Sequence, residues 1–87
     1  MFRVTWTRAA RDALARIWTA ADSRQRRAIT AATHALDTQL ARNPGGVGES
    51  RDQGHRIHFV APLAVTYRIE PQSAIVRVKK IWLPARR

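Results

Sequence analysis

Eighty-seven residues carry sixteen Lys and Arg against six Asp and Glu, a net charge of +10, with 45% hydrophobic residues and no cysteine. A chain of this length makes a single domain, residues 1–87, and its apolar share is too high for a disordered basic tail. Disulfide frameworks and thiolate metal sites are excluded, no apolar run approaches the ~18 residues of a membrane span, and Met1-Phe2-Arg3-Val4 lacks the order of a signal peptide. The expectation is therefore a soluble, cytoplasmic protein with no membrane partner. Its charge suits a polyanion or an acidic protein, because each Arg brought to a phosphate releases a condensed counterion.

Phe2-Arg3-Val4-Thr5-Trp6 alternates apolar and polar residues, the period of a strand with one face buried. Thr7 can cap a helix that runs from Arg8 to about Ala20, where Ala10, Ala13, Leu14, Ile17 and Trp18 recur at three and four residues. Asp22 and Gln25 fit a capping box, so a second helix follows at once with Ala28 or Ile29, Ala32, Leu36 and Leu40 as its stripe. Asn43-Pro44-Gly45-Gly46 ends it. After a polar loop, roughly Asn43 to Gln53, period two returns: one strand about His55 to Val60, a turn at Ala61-Pro62, a second from Ala64 to Glu70, a turn at Pro71-Gln72-Ser73, and a third through Val76 and Val78. Lys80 falls on that strand's apolar side, which predicts a bulge or an end near Lys79.

The order strand, helix, helix, three strands defines an α+β fold, βααβββ, with an antiparallel sheet covered on one face by a helical hairpin. With Phe2, Val4, Trp6, Ile57, Phe59, Val65, Tyr67, Ile69, Val76 and Val78 turned to the helices, Arg3, Arg56, His58, Thr66, Arg68, Arg77 and Lys79 share the open face. A basic face with a histidine suits phosphodiester chemistry: RNA cleavage by its own 2′-hydroxyl needs a base, cations for the charge on the phosphoryl oxygens, and an acid for the leaving oxygen. His58 among cations is expected to stay neutral and act as base. Arg56, Arg68, Arg77 and Lys79 would hold the phosphate, and Glu49 or His55 would supply a second proton-transfer group.

Other residues read more plainly. His55 and His58 point to opposite sides of a strand, so they do not share a metal ion, and no cofactor is expected. His34 reads as a solvated or hairpin-interface residue, and Tyr67 as core. Trp82 reads first as a packing anchor and second as a base-stacking platform. Ser23, Ser50 and Ser73 have no nucleophile-elbow setting. Pro44-Gly45-Gly46-Val47-Gly48 follows a helix, the reverse of a phosphate-binding nest.

Val4-Thr5-Trp6-Thr7-Arg8-Ala9-Ala10-Arg11-Asp12-Ala13-Leu14, the segment His55-Arg56-Ile57-His58-Phe59, the strand Val65-Thr66-Tyr67-Arg68-Ile69 and Val76-Arg77-Val78-Lys79-Lys80-Ile81-Trp82 together resemble the RelE/ParE superfamily of bacterial type II toxins. The resemblance spans nearly the whole chain and rests on element order more than on invariant residues. It implies a toxin neutralised by a cognate antitoxin with an acidic contact segment. RelE-type toxins cleave mRNA in the ribosomal A site; ParE-type toxins poison DNA gyrase. Arg56 and His58 match two basic RelE-type positions. The RelE-type arginine of the next strand aligns with Ala64, with Arg68 two pleats along on the same face. Arg86 matches a later arginine with a shifted register, and the terminal Tyr or His of the pattern is missing. The expected catalytic set is His58, Arg56, Arg68 and Glu49, with Arg3, Arg51, Arg77, Lys79, Lys80 and Arg86 binding nucleic acid. The partners expected are the antitoxin, the ribosome and mRNA, or alternatively gyrase; a non-toxic basic nucleic-acid-binding domain is the third reading.

Overall fold

The computed structural model describes residues 1–84. Arg86, expected to bind nucleic acid, lies outside the described residues. The elements are β1 (Arg3–Trp6), α1 (Arg8–Ala20), α2 (Ser23–Arg42), β2 (Glu49–Ser50), β3 (His55–Val60), β4 (Leu63–Glu70) and β5 (Ile75–Trp82), with a short 3-10 turn at Asp52–Gly54.

Both helix starts follow from their side chains. Thr7 Oγ1 accepts from the Ala10 N–H at 3.1 Å. Asp22 accepts from the Gln25 N–H at 2.8 Å while Gln25 Oε1 accepts from the Asp22 N–H at 3.0 Å, a reciprocal box that satisfies two otherwise orphaned donors. Arg26 ties the hairpin: its Nε donates to the Trp18 carbonyl at 3.0 Å at the end of α1, and its guanidinium lies 5.5 Å from the Trp18 ring centre. The stripe Ile29, Ala32, Leu36 and Leu40 is buried against Leu63, Val65, Tyr67, Val76, Val78 and Ile81. Fully burying a leucine such as Leu36 is worth ~1.5–3 kcal/mol, and several such contacts clamp the hairpin onto the sheet.

The sheet order is β1-β5-β4-β3-β2. The last three long strands form the expected antiparallel meander, but β1 lies parallel to β5, so the sheet is mixed. Glu49 and Ser50, read as loop, form a two-residue edge strand antiparallel to β3, because the chain must descend the sheet edge before β3 can begin. The irregularity near Lys79 is a bulge: Tyr67 pairs with Val78 and Thr66 with Lys80, leaving Lys79 as the extra residue. The strand then continues to Trp82. Val78 and Ile81 are both buried although three apart, so Lys79 and Lys80 lie together on the other side.

The start of β4 matters most. It begins at Leu63, so Ala61-Pro62 is a two-residue connection and Val60 pairs with Leu63. His58 consequently faces Val65 across the ladder, and Arg56 faces Tyr67. Directly paired residues share a face, so Arg56 and His58 lie on the helix side, and Ile57 and Phe59 on the open side.

Candidate functional site

The expected open face is thus redrawn at β3. Arg56 and His58 leave it, and His55, Ile57 and Phe59 join it. A strand starting at Ala64 implies the opposite parity; with the turn counted as two residues, the buried Val65 and Tyr67 bring His58 and Arg56 to their own side.

Arg56 is spent on structure. Its guanidinium donates to the carbonyls of Gly45, Val47 and Gly48 at 3.2, 3.1 and 3.2 Å, to Ser50 Oγ at 2.9 Å and to the Tyr67 hydroxyl at 3.3 Å. Tyr67 is fully buried, as core packing requires, and its hydroxyl lies 2.7 Å from the Pro44 carbonyl and 2.9 Å from that of Val47. The two side chains fasten the loop after α2 beneath the sheet. Gly48 makes this possible: its φ is +70°, and a Cβ there would sit 2.5 Å from the Ile57 carbonyl.

His58 Nε2 donates to Gln39 Oε1 on α2 at 2.7 Å. Burial lowers its pKa from the ordinary value. The cause differs from the one anticipated: desolvation by burial, not repulsion by neighbouring cations.

On the open face the register sets out rows across the sheet. One row is Thr5, Arg77, Arg68 and His55 from β1 to β3. The next is Lys80, Thr66, Ile57 and Glu49, and the third is Trp82, Ala64 and Phe59. Arg3, at the β1 edge, is exposed on this face. Arg77 is held by Glu70 at 3.0 and 3.3 Å. That hydrogen bond holds the Glu70 carboxyl below its usual range, helped by the charges of Arg77, Arg68 and Lys79. Arg51 pairs with Glu49 at 3.3 Å, both largely in solvent. Among the described residues Arg3, Arg68, Lys79 and Lys80 have no acidic partner.

His55 carries a feature that spacing does not reveal. Its Nδ1 lies 3.1 Å from the Asp52 carbonyl, an acceptor only, so Nδ1 bears the proton and Nε2 is left to exchange one. Its cross-strand partner is Arg68. A Cβ on Gly54 would lie 3.7 Å from Arg68 Nε, so the guanidinium sits against the turn that holds His55. Of the expected catalytic set, Arg68 and Glu49 lie on the open face, one row and two strands apart, while Arg56 and His58 lie behind it. Among the described residues no His, Asp or Glu cluster has the makings of a metal site, and no helix is long and apolar enough to cross a membrane.

A helical hairpin on one face of a mixed sheet, with this strand order, is the α+β fold of RelE/ParE toxins. A chain of the toxin–antitoxin complex RelBE2 from Mycobacterium tuberculosis superposes with a TM-score of 0.74 at 23% identity, covering 95% of this chain and 98% of that one. A chain of the chromosomal ParDE system from P. aeruginosa gives 0.76 at 17% identity, covering 98% of each. The isolated E. coli RelE toxin gives 0.65 at 11% identity, covering 100% of this chain and 88% of that one. At these identities the likeness is one of fold. No protein-family profile matches the sequence, and no curated protein does.

Proposed function

We propose that this chain is the toxin of a type II toxin–antitoxin pair, acting in the cytoplasm, and that its open sheet face cleaves mRNA on the ribosome until an antitoxin covers it. One observation carries the reading: Arg68 and Arg77 stand opposite each other on the open face, with the oriented imidazole of His55 next in the same row. The two guanidiniums suit the oxygens of one phosphodiester, and their charge stabilises the extra negative charge of the pentacoordinate state. His55 Nε2 takes the 2′-hydroxyl proton as that oxygen attacks phosphorus; the bond to the 5′-oxygen breaks, that oxygen takes a proton from solvent, and a 2′,3′-cyclic phosphate remains. Lys79, Lys80 and Arg3 extend the cationic surface along the strand, and Glu49 and Arg51 border it at the β2 edge. No metal or cofactor enters the scheme.

The gyrase-directed reading has one observation in its favour: Arg56 and His58, the residues that resemble RelE-type catalytic groups, are committed to the loop after α2 and to Gln39. Brief induction in a bacterial host separates the readings. Mapping RNA 5′ ends is expected to show new ends within translated messages; growth arrest with intact transcripts and a DNA-damage response supports the gyrase reading instead, and unaffected growth removes both.

A further inference from the structure

Ala64 is fully buried although it stands on the open face. It does not belong to the core cluster that contains its neighbours Leu63 and Val65. Its cross-strand partners on that face are Phe59 on β3 and Trp82 on β5, close enough in register for both rings to flank it. Phe59 nevertheless leaves 55% of its surface in solvent, and Trp82 is only partly buried. The row Trp82, Ala64, Phe59 therefore forms a shallow aromatic shelf. It lies two residues along β4 from the Lys80–Thr66 row and four from the Arg77–Arg68 row, and rows on one face are ~7 Å apart.

We infer that this shelf stacks an unpaired base of single-stranded RNA whose backbone runs from Lys80 towards Arg68 and Arg77. The inference rests on the reading of the open face as an RNA site and adds what part of the RNA it grips. Aromatic rings interleaved with unpaired cations are the arrangement that holds single strands, since every base has a π-face and every nucleotide a charge. A duplex keeps its base faces inside its own stack and has none to offer the shelf. Lys79 and Lys80, on the stretch of β5 leading to Trp82, have no acidic partner among the described residues, whereas Arg77 is already matched by Glu70. The polarity of the site thus runs from an aromatic end to a phosphate-binding end.

The purified protein is titrated with a short labelled single-stranded RNA and with an abasic oligomer of the same length and charge. The wild type is expected to bind the base-bearing strand about tenfold tighter or more. Phe59→Leu keeps the site apolar and removes the ring, so it binds both strands at the abasic affinity; Phe59→Trp restores the preference. Because Phe59 is mostly exposed, both variants are expected to melt with the wild type. Arg68→Ala weakens binding of both strands while keeping their ratio. Equal binding of the two strands by the wild type, or an undiminished preference in Phe59→Leu, overturns the shelf and leaves Phe59 as an apolar contact for a protein partner, beside Leu63 and Leu83 in the adjoining groove. Binding of neither strand, with no effect of Arg68→Ala, overturns the RNA reading of the whole face.

Discussion

Arg68 on β4 and Arg77 on β5 are direct cross-strand partners on the exposed face of the sheet, and among the described residues Arg77 is ion-paired, with Glu70, while Arg68 is not. Like charges in that position repel and weaken the sheet. An anion between them removes the repulsion, so the arrangement is costly in the free protein and favourable in a complex. Arg68→Ala is expected to weaken RNA binding, to reduce the salt slope of log K by about one unit, and to leave the melting temperature unchanged or slightly raised. A loss of affinity with an unchanged salt slope means that Arg68 does not meet a phosphate.

Arg56 has the opposite character, a cation whose hydrogen bonds are all internal. Lysine in its place keeps the charge but cannot span three carbonyls, a serine hydroxyl and the Tyr67 oxygen from one fork. Arg56→Lys is expected to cost about 2 kcal/mol, a fall of ~8–16 °C in melting temperature, with RNA affinity per folded molecule unchanged. Thermal unfolding alongside a binding titration checks both halves of that statement.

The sequence shows the elements far better than it shows the face that each side chain occupies. Both caps, the α2 stripe and the β5 irregularity follow from local chemistry, since Thr7, Asp22 and Gln25 act on backbone groups a turn away. The sides of β3 depend on one residue of turn length, because a shift of one in a period-two element moves every side chain across the sheet. Apolar Ile57 and Phe59 look like core residues by alternation alone, yet the pairing of Val60 with Leu63 sends them outward. The placement of His58 on the open face fails for that reason. The orientation of His55 by the Asp52 carbonyl depends on a turn with no periodicity, so nothing in the spacing points to it.

Gly48 carries the close approach that lets the Arg56–Tyr67 fastening form. Alanine there meets the Ile57 carbonyl at 2.5 Å and lies within 3.1 Å of both the His58 Cβ and the Tyr67 hydroxyl, with φ at +70°. Backbone must move, and the expected cost is ~1–3 kcal/mol from the dihedral alone. Chemical denaturation of Gly48→Ala, set beside Gly45→Ala, checks it: a Cβ at Gly45 meets nothing within 4 Å.

His58 makes the stability of the protein depend on pH. Burial lowers its folded pKa below the unfolded value, so the unfolded chain binds a proton first as pH falls. Stability is thus expected to be flat above pH ~7 and to decline from about pH 6.5 downward. His58→Gln removes that slope. Glu70, whose pKa is lowered chiefly by its hydrogen bond with Arg77, contributes stability that is lost only at lower pH, as the carboxylate protonates. Melting temperatures from about pH 3 to 8 for wild type and His58→Gln resolve the first window from the second.

The two histidines of the β3 strand give the sharpest test of where the chemistry lies. His55 is on the open face beside Arg68, its Nδ1 proton directed to Asp52 and its Nε2 left to exchange a proton. His58 is behind the sheet on Gln39, and the ladder separates it from any phosphate held by Arg68 and Arg77. His55→Ala is therefore expected to relieve growth arrest and to slow message cleavage about a hundredfold, the usual scale of a lost general base, while the melting temperature stays near that of the wild type. His58→Gln, which can keep a hydrogen bond to α2, is expected to retain both arrest and cleavage. Cleavage that survives in His55→Ala and fails in a folded His58→Gln moves the active site to the helix side of β3; arrest that survives both substitutions, with intact messages, removes nuclease chemistry from this face.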